Sequence, residues 1–318
     1  MSMSRRVVCA SLLASGLPPA WAQADKSLRW IVPYQAGGGT DTVARVLAEE
    51  MRGSLNQPLV IDNRPGGATN IGMEAVLSAA PDGATVGTAD NAALMVNEHL
   101  FSKLSYNPAK DFTYIAMMVK VPLVLVTTQP VKNLQELLAL AKPQGKPMGF
   151  ASAGIGSPHH LALEQLKRRS NVPFEHVAYR GSAQAVPDLL SGQVQAMFLE
   201  LPGAKQLIQS GKVKALAVGG AQRYDLIKDI PTVAEQGFPG FDAYAFQGLV
   251  GPAKLPEEQV KRLRDAVRQA LQSPAVLARF NDMGIEPWFM PSREFYTLCR
   301  TESQRWGKLL REAKIQIN

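Results

Sequence analysis

Four short stretches carry residue types that can hold an anion without a dedicated cation. The first is Pro33-Tyr34-Gln35-Ala36-Gly37-Gly38-Gly39-Thr40-Asp41. Three glycines in a row let successive N–H groups point at one place, and a helix starting there adds partial positive charge. The same residues read equally as a tight turn with Asp41 as a helix N-cap. No Gly-Lys-Ser/Thr follows, and the dinucleotide-type glycine spacing is absent, so a nucleotide loop is excluded. Asn63-Arg64-Pro65-Gly66-Gly67-Ala68-Thr69-Asn70-Ile71-Gly72 has the same character. Its Arg64 is either a carboxylate clamp or one half of a structural ion pair. Ala151-Ser152-Ala153-Gly154-Ile155-Gly156-Ser157-Pro158 and Tyr179-Arg180-Gly181-Ser182-Ala183 repeat the theme, with Ser157 as an N-cap. A fifth stretch, Gly87-Thr88-Ala89-Asp90-Asn91, offers small polar donors and is weaker than these four.

Bond-breaking chemistry has no comparable signature. There is no Gly-x-Ser-x-Gly elbow, no His-Glu-x-x-His and no Ser-x-x-Lys with its partners. His159 and His160 are adjacent, so on a helix they diverge and make a poor metal pair; packing or capping is the expected role. Asp188 and Glu200 could be imagined as paired carboxylates, but nothing in their spacing requires it. A hydrolase built on Ser157 and His160 is the minority reading. No cofactor or metal is expected.

The elements that must position these loops alternate along the chain. Leu28–Pro33, Leu59–Asp62 and Thr85–Ala89 read as short buried strands. Helices at Asp41–Ser54 and Asn70–Ala80 separate them, the first with Val43, Val46, Leu47 and Met51 at helical spacing. This order implies a parallel sheet with helices on its faces. A second series places strands at Gly149–Ser152, Glu175–Tyr179, Gln195–Leu199 and Ala215–Val218. Helices at about Pro158–Arg169, Ala183–Ser191 and Gly203–Gln209 lie between them. Val121–Thr127 and Tyr244–Val250 are apolar extended runs suited to carry the chain out of one lobe and back. Helices from Pro256 onward, around Pro274–Met283 and over Ser292–Lys314 complete the first lobe. In open α/β sheets ligands bind beyond the carboxyl ends of the strands, which selects the four loops above.

Composition sets the compartment. Arg5 and Arg6 precede a short apolar stretch, Val7–Leu17, and Ala20-Trp21-Ala22 gives a signal-peptidase site. Residues 1–22 are therefore expected to be a signal peptide and the mature chain to be exported and soluble. General secretion fits better than twin-arginine export, since only Ser4-Arg5-Arg6 matches the latter. Cys9 lies inside the apolar stretch, which argues against a lipoprotein. Loss of Arg5 and Arg6 lowers the formal charge from +7 to +5. The basic residues are scattered and not interleaved with aromatics, which excludes a nucleic-acid surface. Cys299 is then the sole cysteine, with no internal partner, and reads as a buried small hydrophobe.

The chain resembles the Bug family, the extracytoplasmic solute receptors of tripartite tricarboxylate transport systems. The resemblance rests on PYQAGGGTDTVARVLAEEM, VIDNRPGGATNIGMEAV, APDG, FASAGIGSPHHLALE, VAYRGSAQAVPDLLSGQVQAMF, GKVKALAV, IPTVAEQGFPGF and FQGLVGPAKLP, in family order. It implies a type II-like, two-lobed periplasmic-binding-protein fold that closes like a flytrap, each lobe a mostly parallel sheet flanked by helices. Lobe 1 would be 25–123 with 247–318, and lobe 2 124–246. It implies a periplasmic, non-enzymatic, monomeric receptor for a mono- or dicarboxylate, possibly aromatic, handed to the membrane components of a tripartite transporter. A ligand sensor acting on a kinase ectodomain is the alternative.

Carried residue by residue, the resemblance assigns ligand contacts to Tyr34, Ala36, Gly37, Gly38, Asp41, Asn70, Ile71 and Thr88 in lobe 1. In lobe 2 it assigns Ser152, Gly154, Ser157, His160, Tyr179 and Ala183. Many family members have Asp-Asn where this chain has Leu199-Glu200. An Asp there would face the pocket. Leu199 is therefore expected to make an apolar wall, with Glu200 on the opposite strand face and amino-acid ligands disfavoured. Phe246 stands where tryptophan is common and is expected to keep an aromatic wall.

Overall fold

The computed structural model describes residues 27–141 and 147–317. The signal-peptide reading lies outside the described residues. Three parallel strands open the fold: β1 (Leu28–Val32), β2 (Leu59–Asn63) and β3 (Thr85–Asp90). Between them run α1 (Gly39–Leu55) and α2 (Asn70–Leu77). The buried face of α1 is Val43, Val46, Leu47 and Met51, at the spacing that puts side chains on one stripe. A π-turn at Ala92–Val96 and a short helix, α3 (Asn97–Leu100), follow β3. An all-apolar pentapeptide gives no helical stripe to read, because every one of its residues is buried.

β4 (Phe112–Thr127) is far longer than the expected 121–127 run. Its first half pairs antiparallel with β9 (Tyr244–Pro252) and with β10 (Glu286–Pro291). Its second half pairs antiparallel with β7 (Ala196–Glu200) and β8 (Lys214–Val218). Beyond β7 lie β5 (Gly149–Ser152) and β6 (Glu175–Ala178), both parallel. One strand thus belongs to two sheets. Leu134–Leu140 forms α4, Pro158–Ser170 α5, Ser182–Leu190 α6 and Leu201–Gln209 α7. The tail adds α8 (Glu257–Gln272), α9 (Pro274–Met283) and α10 (Ser292–Glu312).

Burial follows the two sheets. One apolar cluster runs from Leu123 to Ala243 and includes Phe150, Phe198 and Phe241. The first sheet is covered on both faces. Trp30, Leu47, Leu263 and Phe280 lie in the cluster on one face, and Met73, Phe295, Cys299 and Trp306 in that on the other. Each fully buried large side chain contributes about 1.5–3 kcal/mol. Cys299 is wholly buried among them, as its helical spacing suggested. Leu161 of α5 joins the cluster of Phe295 and Trp306, so this helix of the second sheet also leans on the first.

Candidate functional site

The first glycine loop is built around a carboxylate rather than ending on one. Gly37 sits at φ +81°, where a side chain is strained, and its N–H donates to Asp41 Oδ2 at 2.8 Å. Arg45 Nε donates to the same oxygen at 2.8 Å, and Asn63 Nδ2 donates to Asp41 Oδ1 at 2.9 Å and to the Tyr34 carbonyl at 3.0 Å. Burial alone would raise the Asp41 carboxyl, but these hydrogen bonds outweigh it and hold it below its usual value. Asp41 is therefore not the N-cap. Gly38 holds that place with no side-chain cap, and Asp41 reaches back from inside the helix. Both Asp41 oxygens are spent on the loop, and the Gly37 N–H is spent on Asp41. The open donors here are the first-turn N–H groups of α1, which have no intrahelical acceptor. Ala36, Gly37 and Gly38 are all exposed.

The second loop takes an unusual backbone course. Gly66, Gly67, Ala68 and Thr69 all have positive φ, at +124°, +57°, +52° and +79°. For a β-branched threonine this costs on the order of 1–3 kcal/mol. Asn97 holds the loop in place, donating from Nδ2 to the Ala68 carbonyl and to Asn70 Oδ1, each at 2.8 Å. Tyr106 OH donates to Asn70 Oδ1 at 3.1 Å. Asn70 Oδ1 is thus occupied, while Ile71 is half exposed beside it. α2 begins with no side-chain cap. Arg64 takes the structural reading: its Nε lies 3.1 Å from Asp62 Oδ2, an oxygen that Arg29 also contacts.

Thr88 is buried and accepts from Trp30 Nε1 at 2.9 Å, so its hydroxyl oxygen serves the core. Tyr34 OH donates to Asp90 Oδ2 in a very short contact. Burial raises both groups, and Asp90 raises the phenol further. Next to Asp90 in the ladder is Gln247 of β9, whose Nε2 donates to Thr40 Oγ1 at 3.2 Å.

Across from these, the third loop is a closed hydrogen-bond knot. Ser157 Oγ donates to the Gly154 carbonyl at 2.7 Å and accepts from His160 N at 3.3 Å, the expected N-cap of α5. Gly156 N donates to His160 Nδ1 at 3.0 Å. Ser152 Oγ lies 2.6 Å from His176 Nε2, and the His160 and His176 rings stack at 3.7 Å and 7°. Burial, then the neighbouring His160, pushes His176 down to about 4. Tyr179 turns away to Asp188, donating to Oδ2 at 2.7 Å, and burial lifts its phenol to about 12. Ala183 is exposed in the first turn of α6, which Gly181 starts with no side-chain cap.

Two expectations are corrected at β7 and β9. Leu199 does not wall the cleft; it is 2% exposed, inside the core of the second sheet. Glu200 faces the loops instead. Ser182 Oγ donates to its Oε2 at 2.9 Å, and His159 Nε2 stands 2.8 Å from the same oxygen, off the angle of a hydrogen bond. Burial alone would raise Glu200, but His159 and Ser182 hold it at about 2. The alternation along β7 is read correctly, but its phase is the reverse of that expected. Phe246 is likewise no wall: it is fully buried edge-on to Phe295, 6.0 Å away. Asp188 and Glu200 each have their own partner and do not form a pair.

Asn97, Tyr106 and Gln247 were missed from sequence, and Glu200 was assigned to the wrong face. Gln247 had one signal, a lone polar residue in an apolar run, which must find a partner once buried. Two cavities flank these elements. One of about 530 Å³ lies along α1, lined by Ala36, Gly37, Asp41 and Arg279. The other, of about 780 Å³, opens between Leu201, Tyr224 and Trp288. Among the described residues there is no cluster of three His, Cys, Asp or Glu able to hold a metal ion. No described helix is long and apolar enough to cross a membrane.

Comparison with known proteins gives a consistent result. The family model described as tripartite tricarboxylate transporter family receptor matches residues 43–315. BugT of Bordetella pertussis is 34% identical over 295 residues, covering 92% of this chain and 90% of BugT. An R. palustris protein solved with adipate superposes with TM-score 0.84 at 30% identity, over 91% of this chain and 98% of that one. MatC from Rhodopseudomonas palustris, solved with bound malate, gives 0.79 at 32% identity, over 89% and 98%.

Proposed function

Because the chain belongs to the tripartite tricarboxylate transporter receptor family and has its two-lobed periplasmic-binding-protein fold, we propose that it is a periplasmic receptor that closes on a small organic carboxylate. The ligand sits between the glycine loops of the two sheets and is released to the family's membrane transporter. Lobe 1 comprises 25–123 and 247–318, and lobe 2 comprises 124–246. The observation that carries this reading is the set of helix starts without side-chain caps, at α1, α2 and α6, each led by glycines or a left-handed turn. Such starts present several N–H donors and the positive end of a helix dipole, which suits a carboxylate. The adipate- and malate-bound neighbours support the ligand class.

Of the residues assigned from the family resemblance, the proposed contacts divide between backbone and side chains. Gly38, Ile71 and Ala183 would contribute through main-chain groups and Asn70 through its side-chain amide, with Tyr34 and Ser157 as side chains at the rim; the Gly154 main chain bonds Ser152 and Ser157 and would shape its loop. Asp41 and Thr88 support the loops instead. A non-catalytic role fits the geometry at Ser157. Its proton goes to the Gly154 carbonyl, and His160 Nδ1 is taken by Gly156 N, so nothing activates the hydroxyl as a nucleophile.

A thermal-shift screen over carboxylic acids, with mass spectrometry of any acid that co-purifies, tests this reading. A ligand bound only by the native state at a hundred times its Kd adds about 2.7 kcal/mol. A shift of a few degrees with one or more acids is expected. No shift with any acid, and none recovered from the protein, would overturn the reading.

A further inference from the structure

Two acceptors, Glu200 and Gln247, lie beside the glycine loops. Glu200 ends β7 where the chain of the second sheet meets the crossing strand, opposite Leu123 in the ladder. Its side chain is 30% exposed, and both contacts described above fall on Oε2. In the β4 ladder Glu200 lies four positions from Gln247, which stands opposite Val119. Gln247 is 7% exposed on β9, paired in register with Asp90, the acid that Tyr34 contacts. Its Oε1 is buried with no hydrogen-bond partner among the described residues, while its Nε2 is fixed on Thr40 at the start of α1. Buried acceptors are nearly always paired, so an orphan beside a helix start points to a donor that arrives with the ligand.

We propose that Glu200 and Gln247 form an acceptor wall that selects carboxylates bearing a hydrogen-bond donor, an ammonium or hydroxyl group, and disfavours plain acids of the same length. This rests on the receptor reading above and specifies its ligand class. The glycine loops are donors and take the ligand carboxylate. Glu200 carries a carboxylate and the Gln247 oxygen lacks a donor, so this wall favours a ligand group that donates. A second carboxylate placed there would face the Glu200 anion and be repelled. An ammonium would gain a charge-assisted bond to Glu200, and a hydroxyl a weaker one. A site with a buried acceptor also rejects an analogue lacking the donor more sharply than an apolar wall does, since the acceptor stays unpaired. The preference expected from Leu199 is thereby reversed.

The test is titration calorimetry on the full mature chain with matched sets: succinate, malate and aspartate; adipate and 2-aminoadipate; propionate, lactate and alanine. Within any set that binds, the donor-bearing member is expected to bind at least tenfold tighter than the plain acid. Glu200→Gln keeps the side-chain shape and is expected to shrink that ratio to under threefold, while the plain acid binds equally or better. Gln247→Met is expected to shrink it too, and it decides the matter if Glu200→Gln fails to fold. Plain acids binding as tightly as their donor-bearing partners would overturn the inference while leaving the receptor intact. Unchanged ratios in both variants would do the same, leaving Glu200 a structural partner of Ser182 and His159. If no acid binds at all, the receptor reading fails and this inference with it.

Discussion

Gly156 and Leu100 meet where the two sheets' loops face each other: a Cβ built on Gly156 would lie 2.6 Å from Leu100 Cδ2. The same atom would lie 3.2 Å from Val96 Cγ1, and Gly156 has φ +76°. A glycine is thus needed twice, for its backbone angle and for the approach of the loop before α5 to the π-turn and α3. Gly156→Val should hold the lobes apart and weaken ligand binding by tenfold or more. Small-angle scattering with saturating ligand checks it: the variant should keep its unliganded radius of gyration where the parent contracts.

Asp41→Ala removes the acceptor for the Gly37 N–H, the Arg45 guanidinium and the Asn63 amide at once. The donors are exposed or half-buried and regain water, so losing these bonds should cost about 1–2 kcal/mol in urea unfolding and loosen the first loop. The Asp41 pKa is lowered by folding, so its contribution is complete above the ordinary value of 3.8 and is lost as pH falls through the lower folded value. The stability gap between parent and variant should therefore close below about pH 4.

His176 behaves in the opposite range. Its folded pKa of about 4 lies below the ordinary 6.5, so the native state holds it neutral. The unfolded chain binds a proton first as pH falls, and stability should drop by on the order of 2 kcal/mol between pH 6.5 and 4. His176→Gln should flatten that slope in a pH series of thermal midpoints. A slope unchanged in the variant would place the acid sensitivity elsewhere.

Leu199→Asp separates the two readings of β7. If residue 199 faced the cleft, the change would be tolerated and could recruit an ammonium ligand. Leu199 is instead in the core beside Gly203, so a carboxylate there should destabilise by about 3–5 kcal/mol or abolish folding. Denaturant unfolding, or failure of soluble expression, reads the outcome.

Helical spacing was legible wherever a helix is half exposed, as in α1 and α8, because water on one side forces a one-sided stripe. Val260, Leu263, Val267, Ala270 and Leu271 show it in α8. It was not legible in Ala92–Val96, where burial on every side erases the stripe, nor in the length of β4, whose two halves answer to different sheets.

By itself, the sequence determined the α/β alternation, the four glycine loops and their place after the strands, and the family. These are local properties: a glycine triplet, a cap or a spacing acts within one or two turns of chain. Only the tertiary structure decided which face of β7 looks into the cleft, so that Glu200 and not Leu199 meets the loops. It alone spent Asp41 on Gly37, put Thr88 under Trp30 and left the Gln247 oxygen without a donor. A strand reads the same from either face when both neighbours are buried. The phase is fixed by what packs against it, and those partners come from distant parts of the chain.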